Sequence, residues 1–176
     1  HGCSRRQRQM CIRDRGHWPE AHRLYEDVLN HLPNHIHSAL ENEQTKPCQF
    51  VCLVSGLRDA SVAQSEILNK LGMQQEAFSA LNQSYALLQF LQLESHDLIG
   101  RVSQMLSKHS EDLLAHMAAF CSAQRNAEWM IELDHVTRAH EQFLYLQTMS
   151  SAETGATQLY NCCLLYTSDA ADDYIR

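Results

Sequence analysis

Three histidines and two cysteines, His31, His35, His37, Cys48 and Cys52, form the one metal-like cluster in this sequence. Zinc takes four nitrogen or sulfur ligands in a tetrahedron, and these side chains have the right chemistry to supply them. Their spacing matches no compact zinc module, however, and Cys48 and Cys52 lie one helical turn apart among Phe50, Val51 and Leu53. A thiol in that setting behaves as a small buried hydrophobe, so structural cysteines and no bound metal are expected. His135 and His140 stand near Glu132 and Glu141 without the two-histidine, central-glutamate spacing of a zinc-protease helix. His140 instead falls on an apolar seam, as a packing histidine. Asp97, Glu111 and Asp112 read as carboxylates at helix starts, where the helix dipole favours them. Trp129 reads as core beside Leu133 rather than as an exposed anchor. With no nucleophile elbow, phosphate-cradling glycine loop or Cys-His pairing, neither catalysis nor a cofactor is expected.

Both ends of the chain resemble translated transposase sequencing adapter. Residues 5–14 are what one strand of that adapter encodes, and residues 163–172 are what its reverse complement encodes. The expected organisation is therefore residues 1–15 adapter-derived, 16–149 a helical repeat region from a longer protein, 150–162 a loose polar tail, and 163–176 adapter-derived. Segments of this kind are set aside in fold reasoning. The leading one holds five arginines against one aspartate, and the trailing one three aspartates against one arginine. The middle is thus more acidic than the net charge of -7 suggests. An acidic segment lacks the clustered cations that neutralise phosphates, so nucleic acid is not an expected partner. Nor is a membrane, because no run of about 18 apolar residues occurs. Cys48, Cys52, Cys121 and Cys162 lack the spacing of a disulfide framework, and reduced thiols in an intracellular setting, cytoplasmic or nuclear, are expected.

The elements that would position these residues all read as helix. Glycine and proline are sparse, at 6 and 3, and no stretch alternates as a half-buried strand would. A helix from Pro19 should stop at Pro33-Asn34, with a short one over 35–43. A helix from Pro47 should end near Gly56, and Ser61 should cap another that turns at Gly72. Over 73–93, Ala77, Leu81, Leu88 and Leu91 share a face that Phe78, Tyr85 and Phe90 widen. Ser95 should cap 96–108, and Ser110 should open a further helix burying Leu113, Leu114, Met117, Phe120 and Cys121. The last helix, 126–149, carries Trp129, Leu133, Val136, His140 and Phe143 on one seam.

Gly16, Trp18, Ala21, Tyr25, Val28, Leu29 and Pro33 resemble the second helix and exit of a tetratricopeptide repeat. In that register Gly16 allows the tight turn, Trp18 packs the interhelical groove, and Ala21 is small where two helices approach. Tyr25, Val28 and Leu29 fill the next interface, and Pro33 ends the helix. The following unit should place large, leucine, small and aromatic residues at His37, Leu40, Glu41 and Gln44, and only Leu40 fits. Leu71-Gly72 with Ala77, Leu81 and Ser84 is a weaker echo. The expected fold is all-α, with antiparallel helix pairs stacked as a divergent tetratricopeptide-like repeat or short α-solenoid; an ordinary helical bundle is the alternative. Such a scaffold implies a protein partner. Residues 16–68, with Trp18-Pro19-Glu20-Ala21, Tyr25-Glu26 and Cys52-Leu53 through Leu57, also resemble the FAT region of phosphatidylinositol-3-kinase-related protein kinases. That resemblance implies a regulatory helical region clamping a catalytic domain that lies outside this segment.

Overall fold

The structure, a computed structural model, describes residues 17–150. The first helix, α1 (Trp18–Glu41), has a proline in its first turn and Glu20 at its positive end. It does not stop at Pro33, which lies inside it. An interior proline removes one backbone hydrogen bond and costs about 3 kcal/mol. Continuing the helix buries Ile36 completely and half-buries Ala39 and Leu40, which offsets that cost.

The second helix, α2 (Pro47–Lys70), also runs through both of its expected breaks, Gly56 and Ser61. Its entry is held by the Gln49 side chain, which accepts the Lys46 N–H at 3.0 Å. Phe50, Val54, Leu57, Ser61, Gln64 and Leu68 are all buried, at alternating spacings of four and three. This stripe is unbroken because α2 packs against α1 on one side and against the next two helices on others. Ser61 is no cap: its hydroxyl donates to the Leu57 carbonyl at 2.7 Å and meets the Ser84 hydroxyl across the helix interface.

The end of α2 does follow its sequence signal. Gly72 adopts φ +76°, its N–H bonds to the Asn69 carbonyl, and the Met73 N–H returns to the Leu68 carbonyl at 2.9 Å. This is the paired-bond stop that a left-handed residue permits. The two glycines should therefore respond oppositely to alanine. A Cβ at Gly56 would meet only Leu32 Cδ2, at 3.9 Å, an ordinary contact. Gly56→Ala is expected to raise stability by about 0.5–1 kcal/mol. Gly72→Ala should lower it by about 1–2 kcal/mol, because a Cβ disfavours the left-handed region. The two shifts in urea midpoint should have opposite signs.

The third helix, α3 (Gln74–Gln92), buries Ala77, Phe78, Leu81, Tyr85, Leu88 and Leu91, close to the expected face, but Phe90 is exposed. The fourth, α4 (Asp97–Gln124), starts at His96, whose Nδ1 accepts the Leu98 N–H at 3.1 Å. It continues past Lys108 as one helix, and Ser110 is buried mid-helix rather than capping a new one. The Gln92 side chain donates to the Ser110 hydroxyl at 2.8 Å and accepts from the Ser107 hydroxyl at 3.2 Å. These bonds satisfy Ser110, which reads as a helix-start signal in the sequence, and Ser107 one turn before it. Leu114 is only half-buried.

A final helix, α5, covers 127–150, opened by Asn126, whose side-chain oxygen accepts the Trp129 N–H at 3.0 Å. The chain divides into two compact units, one ending at Leu133 and the other beginning at Asp134. In the first, neighbouring helices pack: α1 on α2, α2 on α3, α3 on α4, and α2 also on α4. In the second, His140 is buried and Val136 and Phe143 are half-buried along the expected seam. Asp134 and Arg138 pair at 3.0 Å on its surface. Among the described residues there is no strand, and no helix is long and apolar enough to cross a membrane.

Candidate protein-docking groove

The fold disperses the metal-like cluster. His31, His35 and His37 are exposed on α1, and His31 is turned onto its own helix, 2.8 Å from the Asp27 carbonyl. Cys48 and Cys52 are exposed on α2, contrary to the expectation that they are buried. The buried stripe of α2 passes through Phe50 and Val54, and residues two positions away lie about 200° round the helix, on the opposite side. Among the described residues no three His, Cys, Asp or Glu side chains stand where they could hold a metal. Cys121 is buried, and burial pushes its thiol pKa up, which suits packing and not nucleophilic attack.

The repeat-like residues of α1 are scattered in exposure. Gly16 lies outside the described residues, Ala21 is buried, and Trp18, Tyr25, Leu29 and Pro33 are half-buried. Val28 is exposed, although seven residues bring it about 20° from the buried Ala21 round the helix. Asp97 does sit in the first turn of α4, paired with Arg101 at 3.1 Å. Glu111 and Asp112 lie mid-helix, because α4 does not restart at Ser110. His135 is exposed, and Trp129 is core.

One polar network joins α2 to α4. Ser55 Oγ lies 3.1 Å from His109 Nε2, Arg58 lies 3.0 Å from His109 Nδ1, and Arg58 donates to Asp112 Oδ2 at 3.0 Å. A guanidinium only donates, so Nδ1 accepts and the ring proton sits on Nε2, where it donates to Ser55. The proton therefore points toward the hydroxyl, the wrong way for a base that activates a nucleophile. The network is a brace. Burial first, then the Arg58 charge, holds His109 below the ordinary histidine range, with Lys108 assisting and Asp112 and Asp59 opposing.

The sign of the pH effect follows. His109 is neutral in the fold and protonates more readily when unfolded, so its contribution is full above about pH 6.5 and is lost as pH falls below that value. Melting temperature should drop between pH 7.5 and 5.5. In His109→Gln, whose amide can accept from Arg58 and donate to Ser55, the drop should be smaller. Equal slopes would show that His109 does not set the acid response.

A second arrangement is an open groove of about 500 Å³, with α1 and α3 as walls and α2 as floor. Leu29 and Pro33 line one wall, Met73 and Leu87 the other, and Leu57 and Leu68 the floor between them. Among these apolar groups sits Gln64, 3% exposed. Glu26 Oε2 lies 3.8 Å from His22 Nε2 and favours a proton there, which leaves His22 Nδ1 as an acceptor. The Gln64 amide donates to that nitrogen at 2.6 Å, and its Oε1 has no hydrogen-bond partner. A buried acceptor left unmade costs about 1–3 kcal/mol. Glu26 and Glu76 also line the groove, and no lysine or arginine does.

No family model, curated protein or solved structure matches this chain. The groove was not legible in the sequence. Its one signal there is Gln64, a polar residue placed on the helix stripe between Leu57 and Leu68.

Proposed function

We propose that this segment is a non-catalytic helical scaffold that holds a protein partner in the α1–α3 groove. The observation that carries this reading is the groove itself, open, with apolar walls from Leu29, Pro33, Met73 and Leu87. Apolar side chains of a partner would cover Leu29, Pro33, Met73 and Leu87, the apolar lining that keeps exposed surface. A photo-crosslinking amino acid at Gln83, in the groove, and another at the exposed Gln104 on α4 would test it. In extract, the groove position should give a discrete protein adduct that the control position does not. Equal labelling, or none at Gln83, would remove the groove as the docking site.

Helix length favours a second reading. α2 has 24 residues and α3 has 19, together longer than the about 34 residues of a whole tetratricopeptide unit. Divergence from the strict repeat is what the FAT-type regulatory region of a phosphatidylinositol-3-kinase-related kinase would entail. A kinase catalytic loop downstream in the same open reading frame would establish that parentage, and its absence from the full frame would dismiss it.

A further inference from the structure

Dispersal of the histidine–cysteine cluster leaves one histidine pair standing together. His31 and His35 are both exposed, one helical turn apart on α1. Residues at that spacing share a face, with Cβ atoms about 5–6 Å apart. We propose that this pair is a surface site for a divalent transition-metal ion, held by two imidazole nitrogens with water in the remaining positions. Imidazole suits zinc, nickel and copper, whereas magnesium and calcium prefer oxygen ligands. With two protein ligands the site is open and exchangeable, unlike a closed structural module of four.

Three observations support it. A carbonyl only accepts, so His31 Nδ1, 2.8 Å from the Asp27 carbonyl, carries the ring proton and donates it. The Asp27 carboxylate, its Oδ1 3.4 Å from the same nitrogen, favours the proton there as well. His31 Nε2 therefore keeps its lone pair, the arrangement of metal-bound histidines whose other nitrogen is anchored to a carbonyl or carboxylate. Charge agrees: from Leu24 to Thr45 the sequence carries Glu26, Asp27, Glu41 and Glu43 and no lysine or arginine. Finally, Pro33 lies two residues from each histidine, about 200° away and so on the far side of the helix. It removes a backbone hydrogen bond from the turn that the two histidines span, and an ion bridging them would brace that turn.

The full chain has 11 histidines and 7 cysteines, so total metal uptake decides nothing and binding must be read residue by residue. Amide NMR with Ni(II), which is paramagnetic and not reduced by thiols, does this. Signals of His31, His35 and their neighbours should broaden at substoichiometric Ni(II), and equal Mg(II) should leave them unchanged. His31→Ala and His35→Ala should each weaken Ni(II) binding there about tenfold, because the second imidazole binds intramolecularly at high effective concentration. His37→Ala, exposed on the same helix, should not. All three positions are exposed, so the helical circular-dichroism signal should be unchanged. Zn(II), which is diamagnetic, should slow amide hydrogen exchange across the Pro33 turn in the parent and not in His31→Ala. Broadening centred elsewhere, or equal Ni(II) affinity in the parent and in a variant lacking both histidines, would overturn the site. Unchanged exchange with Zn(II) would also overturn it, since the two rings would then not share one ion.

Discussion

Replacing Trp129 by alanine is expected to cost about 3–5 kcal/mol of folding stability, the usual range for deleting a large buried aromatic. Trp129 is 4% exposed in the first turn of α5. Its ring stands edge-on to Phe120 of α4 at 5.1 Å and tilted to Phe78 of α3 at 5.4 Å, while those two rings lie 6.1 Å apart. The indole thus joins the ends of three helices, and its removal leaves a cavity that two aromatic rings cannot close by themselves. Aromatic geometry adds about 0.5–1.5 kcal/mol beyond buried area. Trp129→Phe should lose much less, because a ring remains. Urea unfolding followed by circular dichroism gives both values. A loss under about 1 kcal/mol for the alanine variant would mean that the three rings do not form a cooperative part of the core.

Ala21→Arg should be nearly as damaging, at several kcal/mol. Ala21 is 3% exposed on the face of α1 that meets α2. A guanidinium there overfills the helix contact, at about 1–3 kcal/mol, and must also lose water or force the helices apart. Leu24→Arg is the control, three residues along the same helix but 57% exposed. It should stay within about 0.5 kcal/mol of the parent, as surface changes usually do. Equal melts for the two variants would contradict the placement of α1 on α2.

From the sequence alone came the all-helical class, the span of α3, the stop at Gly72 and the start at Asn126. Each of these depends on chemistry within a few residues. Only glycine sits easily at the positive φ that ends α2, and the Asn126 side chain reaches an N–H three residues on. The α5 seam was legible for a related reason, since a 3.6-residue period is written directly in the order of apolar side chains.

Tertiary structure alone decided where helices fail to break. Pro33, Gly56 and Ser110 each carry a local signal worth about 1–3 kcal/mol, and each is overridden where the buried stripe continues past it. Ile36 lies beyond Pro33, Leu57 beyond Gly56, and Leu113 beyond Ser110, all of them 1% exposed or less. Fully burying one such side chain stabilises the fold by about 1.5–3 kcal/mol, so two or three outweigh any single break. The same dependence on neighbours put Cys48 and Cys52 in solvent and Gln64 beneath a groove. Periodicity shows which residues share a face of a helix, but the faces that become buried are chosen by the helices that pack against them.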